Sequence, residues 1–149
     1  MLMERFVKLN ELEGFDEEFK NALGELEQRI FESYSNTFSK ETGDSTRDTI
    51  RENMFRDFCD GLGYDSGGRK YLRVVSGAFG TDNQTTVWGF IAKQDFKVKS
   101  KRKTGPEFVV FKEGDLLKSA GWKTPSLNAP RGNIIDENYT IAWTGPQYL

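Results

Sequence analysis

Apolar residues recur every three or four positions in the first half of the chain. After Asp16, a favourable N-cap residue, the members of this series are Phe19, Leu23, Leu26, Ile30, Tyr34 and Phe38. This spacing predicts a long amphipathic helix over about 16–39, whose apolar seam would pack on a sheet or pair with a second copy of the chain in a homodimer. A shorter series predicts a short helix within residues 2–12.

A second helical series follows a polar turn. Ser45 and Asp48 have the spacing of a capping box. The apolar residues behind them are Ile50, Met54, Phe55, Phe58 and Leu62. They predict a helix over about 46–62 that buries one continuous apolar face. Cys59 lies beside that face, where a free cysteine is expected as a small buried residue.

The hydrophobic period changes from about 3.6 residues to about 2 at Tyr71. Short runs rich in Val, Ile, Thr and aromatic residues occupy 71–76, 85–92, 107–112, 115–119 and 139–143. Gly, Asn, Asp and Pro separate them, so the runs predict an antiparallel meander. The predicted fold is therefore α+β, with two N-terminal helices packed on a C-terminal antiparallel sheet that is curved or closed into a small β-barrel.

Charge divides the chain close to the point where the period changes. Residues 1–66 contain 8 Lys and Arg against 16 Asp and Glu, whereas residues 67–149 contain 13 against 7, for a net charge of -2. We expect an acidic helical segment, 1–66, and a basic β module, 67–149, within one structural unit. The basic half could face an anionic partner, or the two halves could dock on each other within the fold or across a dimer.

The composition argues against most enzymatic chemistry. The chain has no histidine, one cysteine and no CxxC or HExxH motif, which excludes His-dependent hydrolysis and the usual zinc sites. It has no P-loop and no complete dinucleotide-binding glycine motif. We therefore expect a non-enzymatic protein with no metal and no cofactor. A lone cysteine and the lack of a long apolar run favour a reducing cytoplasm and no membrane association.

Two segments of the basic module carry candidate binding residues. In the first, 97–103, five of seven residues are cationic: Lys97, Lys99, Lys101, Arg102 and Lys103. At the tip of a loop between the second and third predicted strands, these cations would contact phosphates and make binding sensitive to salt. A solvated loop without a ligand explains the same run of charge.

The second segment, 114–133, combines three glycines, two prolines, a tryptophan and three cations, which predicts an ordered loop. Its candidate binding residues are Lys118, Trp122, Lys123, Asn128 and Arg131. In a recognition role, the polar side chains form a fork for phosphate or carboxylate while the indole stacks on a ring. In a closure role, Trp122 plugs the end of the barrel, and Arg131 and Asn133 hold the loop through backbone carbonyls.

Several residues of this region stand in a distinctive order. They are Val87-Trp88-Gly89-Phe90, Gly114-Asp115, Leu117-Lys118, Ala120, Trp122-Lys123, Pro125, Arg131-Gly132-Asn133 and Trp143-Thr144-Gly145-Pro146. In this order and spacing they resemble a motif of a group of small bacteriophage proteins. The resemblance spans residues 71–149 and departs at Ser126, where an alanine is expected. It implies a phage origin and action in the host cytoplasm, and it implies no particular activity.

These patterns favour a phage accessory protein that binds nucleic acid, single-stranded or without sequence preference, through the basic β module. Two other interpretations stay open. One is an inhibitor or sequestering protein that acts on a host factor or a small anionic signal, with acidic helices that mimic a phosphate backbone. The other is a virion structural protein.

Overall fold

The computed structural model describes residues 6–38, 43–79 and 85–147. Two helices come first, α1 (Glu17–Phe38) and α2 (Ser45–Asp60). The strands that follow in the described ranges are β1 (Gly63–Asp65), β2 (Tyr71–Ser76), β3 (Thr86–Ala92), β4 (Phe96–Lys99), β5 (Phe108–Phe111), β6 (Leu116–Leu117), β7 (Gly132–Asn133), β8 (Asn138–Tyr139), β9 (Ile141–Ala142) and β10 (Gly145–Pro146). The fold is α+β, as the change of hydrophobic period predicts.

Both helices begin at aspartate caps. Asp16 Oδ1 accepts a hydrogen bond from a first-turn amide of α1 at 2.8 Å, so the predicted cap is confirmed. In α2 the cap is Asp44, whose carboxylate accepts from two first-turn amides. The predicted capping box of Ser45 and Asp48 is therefore wrong, because the aspartate one residue earlier already satisfies those amides.

The short helix predicted within residues 2–12 does not form in the described part of that segment. Leu9–Glu11 is a single 3-10 turn. Val7 pairs instead with Tyr64 of β1, and the two amide-to-carbonyl hydrogen bonds measure 2.9 and 2.8 Å. Residues 1–5 lie outside the described residues. The segment therefore extends the sheet by one bridge.

The strands form one open four-stranded antiparallel sheet and three two-stranded ribbons. The order in the sheet is β1-β2-β3-β6, and the ribbons are β4-β5, β7-β8 and β9-β10. The predicted small β-barrel is wrong for the described residues. Since β6 pairs with β3 through only two residues and β4-β5 folds as a separate ribbon, the sheet does not close.

Two strand boundaries differ from those that the sequence predicts. The run 139–143 is divided at Thr140 between β8 and β9, which pair with different strands. The basic run 97–103 is not entirely a loop, because Lys97 and Lys99 belong to β4. Only the later part of this run lies in the turn between β4 and β5.

Alternating side chains give the sheet two faces with separate cores. On one face, Leu72 and Ile91 pack with α1. The buried residues of α1 in this core are Phe19, Leu23, Leu26 and Ile30. On the opposite face, Phe90 and Leu117 pack with Phe111 of β5. The result is three layers, with α1 on one side of the sheet and the β4-β5 ribbon on the other.

The helices differ in how completely they are buried. The seam of α1 packs on the sheet, which is one of the two arrangements that the sequence left open, and its core residues are at most 1% exposed. A dimer through α1 stays a prediction, and it would have to use the polar side of the helix.

In α2, Phe58 stacks on Tyr34 with ring centroids 4.4 Å apart. Ile50 and Met54 are each 52% exposed, so the single continuous apolar face predicted for α2 is wrong.

In the described ranges, neither helix has the length and apolarity that crossing a bilayer requires.

Candidate nucleic-acid interface

The β4-β5 ribbon turns one side to the protein and the other to solvent. Its inner side chains, which pack on the sheet, are Phe96, Val98, Val109 and Phe111. Its outer side chains are Lys97, Lys99, Phe108 and Val110. Of these, Phe108 is 40% exposed and Val110 is 58% exposed. The outer side therefore combines cations with exposed apolar surface.

Lys97 and Phe108 contact each other across the ribbon. Lys99 is directly opposite Phe108 in the ladder, so Lys97 is its diagonal neighbour. The ammonium nitrogen of Lys97 lies 4.5 Å from the centroid of the Phe108 ring. A cation at this position is worth about 0.5–1 kcal/mol at an exposed site, and it steadies the ring at the surface.

The turn between β4 and β5 carries the rest of the basic run. Its stem is closed by a 2.8 Å hydrogen bond from the amide of Ser100 to the carbonyl of Glu107. Lys101, Arg102 and Lys103 are all exposed. None of the five cations in 97–103 forms an ion pair with an acidic residue in the part of the chain that the structure describes. Their charge is thus available to an external anion.

Lys118 and Arg131 fasten the C-terminal strand to the 114–133 loop. Lys118 Nζ donates to the carbonyl of Pro146 at 2.7 Å. Arg131 donates through Nη1 to the carbonyl of Gln147 at 3.0 Å and through Nη2 to Asn128 Oδ1 at 2.9 Å. Asn128 Oδ1 also accepts from a side-chain hydroxyl and a backbone amide of the same loop. Three of the predicted recognition side chains are therefore engaged within the chain.

Trp122 lies at the tip of a tight turn and packs on Arg73, which forms a part-buried ion pair with Asp65. Trp122 is 40% exposed, and the centroid of its ring lies 4.8 Å from the guanidinium carbon of Arg73. Arg73 donates to the Trp122 carbonyl at 2.9 Å and to Asp65 Oδ2 at 2.8 Å. Since the sheet forms no closed barrel, the predicted role of Trp122 as a barrel plug is wrong. Lys123, the next residue, is exposed.

The ribbon and the Trp122 turn lie side by side on one face of the sheet. Tyr71 and Arg73 are two residues apart in β2 and point to the same side. Tyr71 contacts Phe96 of the ribbon, with ring centroids 5.5 Å apart, and Arg73 contacts Trp122. These two contact points are about 7 Å apart along β2. Because this is the face opposite α1, the acidic helix does not cover it.

We call this exposed surface the basic face. Its members are Lys97, Lys99, Lys101, Arg102, Lys103, Phe108, Val110, Trp122 and Lys123.

Sequence reasoning missed Phe108 as a surface residue and Arg73 as a buried one. Phe108 stands in a run of four apolar residues, so the local pattern does not say which pair faces solvent. The cationic residues opposite it in β4 are a usable signal, because they mark the outer side of the ribbon. Arg73 interrupts an apolar strand, and its burial is explained by its pairing with Asp65 across β1 and β2 and by its hydrogen bond to the Trp122 carbonyl.

Other residues of the proposed motif have local structural roles. Asn133 Nδ2 donates to Asp115 Oδ1 and to the carbonyl of Glu113, both at 2.9 Å. Asn133 Oδ1 accepts from two of the amides that follow it. Gly132 has a φ of 115°, and a Cβ there would lie 2.5 Å from the Cβ of Tyr139. Hydrogen bonding and close packing are thus sufficient to explain why asparagine and glycine occupy these positions.

The remaining reactive groups do not form a second site. Burial, with the nearby charges of Asp60 and Glu27, raises the pKa of the Cys59 thiol to about 11. The nucleophilic thiolate is therefore scarce at neutral pH. Among the described residues, no group of three or more Cys, Asp or Glu side chains could hold a metal ion.

Comparison of the chain with protein-family models, with curated proteins and with solved structures found no match. The likeness of residues 71–149 to bacteriophage proteins stays a prediction from the sequence. A proposal of function therefore depends on the physical properties of the basic face.

Proposed function

We propose that this protein binds nucleic acid, single-stranded or without sequence preference, through the basic face. The observation that carries the proposal is the exposed ring of Phe108 among five cations that have no acidic partner in the described chain. Cations neutralise phosphates, and aromatic rings stack on bases of any kind. Their combination supports binding without base-specific readout, and the protein would act by binding instead of by catalysis.

Trp122 and Lys123 extend the same surface. The second exposed aromatic residue is held by Arg73 and precedes Lys123, an exposed residue, in the chain. Stacking of a base on an aromatic side chain contributes about 1–3 kcal/mol. Two such rings would favour unpaired bases, since the bases of a duplex already stack on each other. We therefore expect single strands to bind more tightly than duplexes.

The test is a salt titration of binding, measured by fluorescence anisotropy with labelled single-stranded DNA, duplex DNA and single-stranded RNA. The logarithm of the association constant should fall linearly with the logarithm of salt concentration, by about 0.7 per phosphate contacted on a single strand. A variant with Lys101→Glu, Arg102→Glu and Lys103→Glu should bind weakly and lose about 2 from this slope.

The matched control carries the same number of charge reversals outside the basic face, at Lys8, Lys20 and Arg56. It should retain the wild-type salt slope. If none of the three nucleic acids binds at low ionic strength, the proposal fails. If both triple variants lose affinity equally, net charge alone governs binding and the basic face is not the site.

A second candidate is a protein that inhibits or sequesters a host factor. It is favoured by the exposed glutamates Glu18, Glu25 and Glu32, which are spaced by seven residues and lie on one side of α1. This spacing places carboxylates about 10 Å apart in a row that could mimic phosphates. Affinity purification from a bacterial lysate should recover a basic protein, and Gln at all three positions should abolish that recovery. Recovery that is unchanged in the triple variant would contradict this candidate.

Action in a host cytoplasm is part of both proposals, and the host is inferred from the bacteriophage resemblance alone.

A further inference from the structure

Helix α2 exposes an apolar pair beside its packed side. Phe55 and Phe58 face Tyr34 of α1, with ring centroids 5.9 and 4.4 Å away. Ile50 and Met54 are directed elsewhere and are each 52% exposed. They are four residues apart and therefore neighbours on one side of the helix. The helix thus has a second apolar contact surface that the described chain does not cover.

Charged residues extend this pair in both directions. Arg47 precedes Ile50 by three residues, Asp57 follows Met54 by three, and both are exposed. The four positions 47, 50, 54 and 57 are spaced by three, four and three residues, which is the spacing of a coiled-coil seam. We call them the α2 stripe. Its ends carry opposite charges and its centre is apolar.

The α2 stripe is complementary to itself when turned end for end. Ile50 and Met54 are equally distant from the level of Glu52, and so are Arg47 and Asp57. In an antiparallel pair of α2 helices, a two-fold axis at that level sets each residue opposite its counterpart. Ile50 would then face Met54 of the partner subunit, and Arg47 would face Asp57 of the partner subunit. A parallel pair would instead set like charges against each other.

We propose that the protein forms an antiparallel homodimer through the α2 stripe. A two-fold interface of this kind uses the same patch on both subunits, as the symmetric stripe requires. The ion pair of Arg47 with Asp44 does not oppose it, because that pair is 3.9 Å long and its side chains are 73% and 52% exposed. The surface is small, so the dimer is weak and concentration-dependent. Since α2 lies on the helical side of the sheet, pairing leaves both basic faces accessible.

Analytical ultracentrifugation over a concentration series that reaches the millimolar range tests the association. The wild-type protein should shift from monomer to dimer. Asp57→Arg should lower the association constant at least about tenfold, because each dimer loses two attractive pairs and gains two repulsive ones. Arg47→Asp should do the same. The double variant Arg47→Asp, Asp57→Arg restores opposite charges and should dimerise like the wild type.

Disulfide trapping tests the orientation of the helices. In a Cys59→Ser background, Ile50→Cys and Met54→Cys proteins are oxidised separately and as a mixture. The antiparallel pairing predicts the highest yield of cross-linked dimer in the mixture, because identical positions are offset by about 6 Å along the helix axis. A protein that is monomeric at all concentrations would overturn the proposal and leave the stripe to a different partner. An association constant that is unchanged in the charge variants, or cross-linking that is highest between identical positions, would also overturn it.

Discussion

The guanidinium group of Arg73 holds Trp122 by two different contacts. It lies 4.8 Å from the centroid of the indole ring, and it donates a 2.9 Å hydrogen bond to the Trp122 carbonyl. Its second nitrogen donates to Asp65 of the neighbouring strand. One buried side chain therefore connects two strands of the sheet to the turn that presents the tryptophan on the basic face.

Replacing Arg73 by methionine should destabilise the protein by about 2–3 kcal/mol, because it leaves Asp65 without its cation and the Trp122 carbonyl without its donor. Urea denaturation measures the loss, and the tryptophan emission of the folded protein should shift as the Trp122 ring becomes more hydrated. The matched control is Arg69→Met, at an exposed arginine four residues earlier. If the two variants are equally stable, Arg73 does not organise the turn.

Variants of Arg131 and Lys123 should distinguish residues that close the loop from residues that contact a ligand. Arg131→Met removes the bond to Gln147, so we expect a loss of about 1 kcal/mol and faster hydrogen exchange in residues 141–147. The salt slope of nucleic-acid binding should not change. Lys123→Met should reduce the slope by about 0.7, because it removes one cation of the basic face. A reduced slope in the Arg131 variant would show that this residue contacts the ligand.

Helices α1 and α2 and strands β2, β3, β5 and β6 could be predicted from the sequence because their signals are local, whereas β1, β4, β7 and β10 were not predicted. The seam of α1 repeats at helical spacing, Asp16 supplies its cap, and β2 occupies the residues where the period of two begins. Long-range pairing has no such signal. The barrel prediction failed because nothing local says that β6 would end after two paired residues.

The candidate site was predictable in composition but not in geometry. The cations of 97–103 could be identified, because a dense run of charge must be solvated. The roles of Lys118 and Arg131 could not, since their acceptors, Pro146 and Gln147, are far away in the chain. In the structure Arg131 donates to the carbonyl of Gln147, whereas Lys123 is exposed, and a role of either residue in recognition stays a prediction.

The Tyr64 hydroxyl and the Glu27 carboxylate form a part-buried hydrogen bond of 2.5 Å beneath α1. Burial raises the pKa of Glu27 above its ordinary value of 4.5, and the bond from Tyr64 lowers it in part. Because the folded-state pKa is raised, the stability linked to Glu27 is fully present below pH 4.5 and is lost as pH rises through the folded-state pKa.

Tyr64→Phe should therefore raise the pKa of Glu27 further. The variant should lose about 1–2 kcal/mol at neutral pH and less below the ordinary pKa of a glutamate, where the carboxyl is protonated. Urea denaturation across pH measures the difference. In the double variant Tyr64→Phe, Glu27→Gln, the stability lost through the Tyr64 substitution should no longer depend on pH. A loss that is equal at all pH values would mean that packing of the ring, and not the carboxylate, accounts for the effect.

A substitution at Phe108 should distinguish the contribution of stacking to binding from the contribution of charge. Phe108→Ser keeps every cation of the basic face. Because the Phe108 ring that it removes lies on the outer side of the ribbon, folding should be little affected. Affinity for single-stranded DNA should fall by about 5- to 150-fold, the equivalent of about 1–3 kcal/mol for one stacked base, with an unchanged salt slope. Duplex affinity should fall much less. The matched control is Phe79→Ser, since Phe79 is 43% exposed, has the Lys8 ammonium 5.4 Å from its ring centroid and lies outside the β4-β5 ribbon. Equal losses in the two variants, or equal losses on single strands and duplexes, would contradict a stacking role for Phe108.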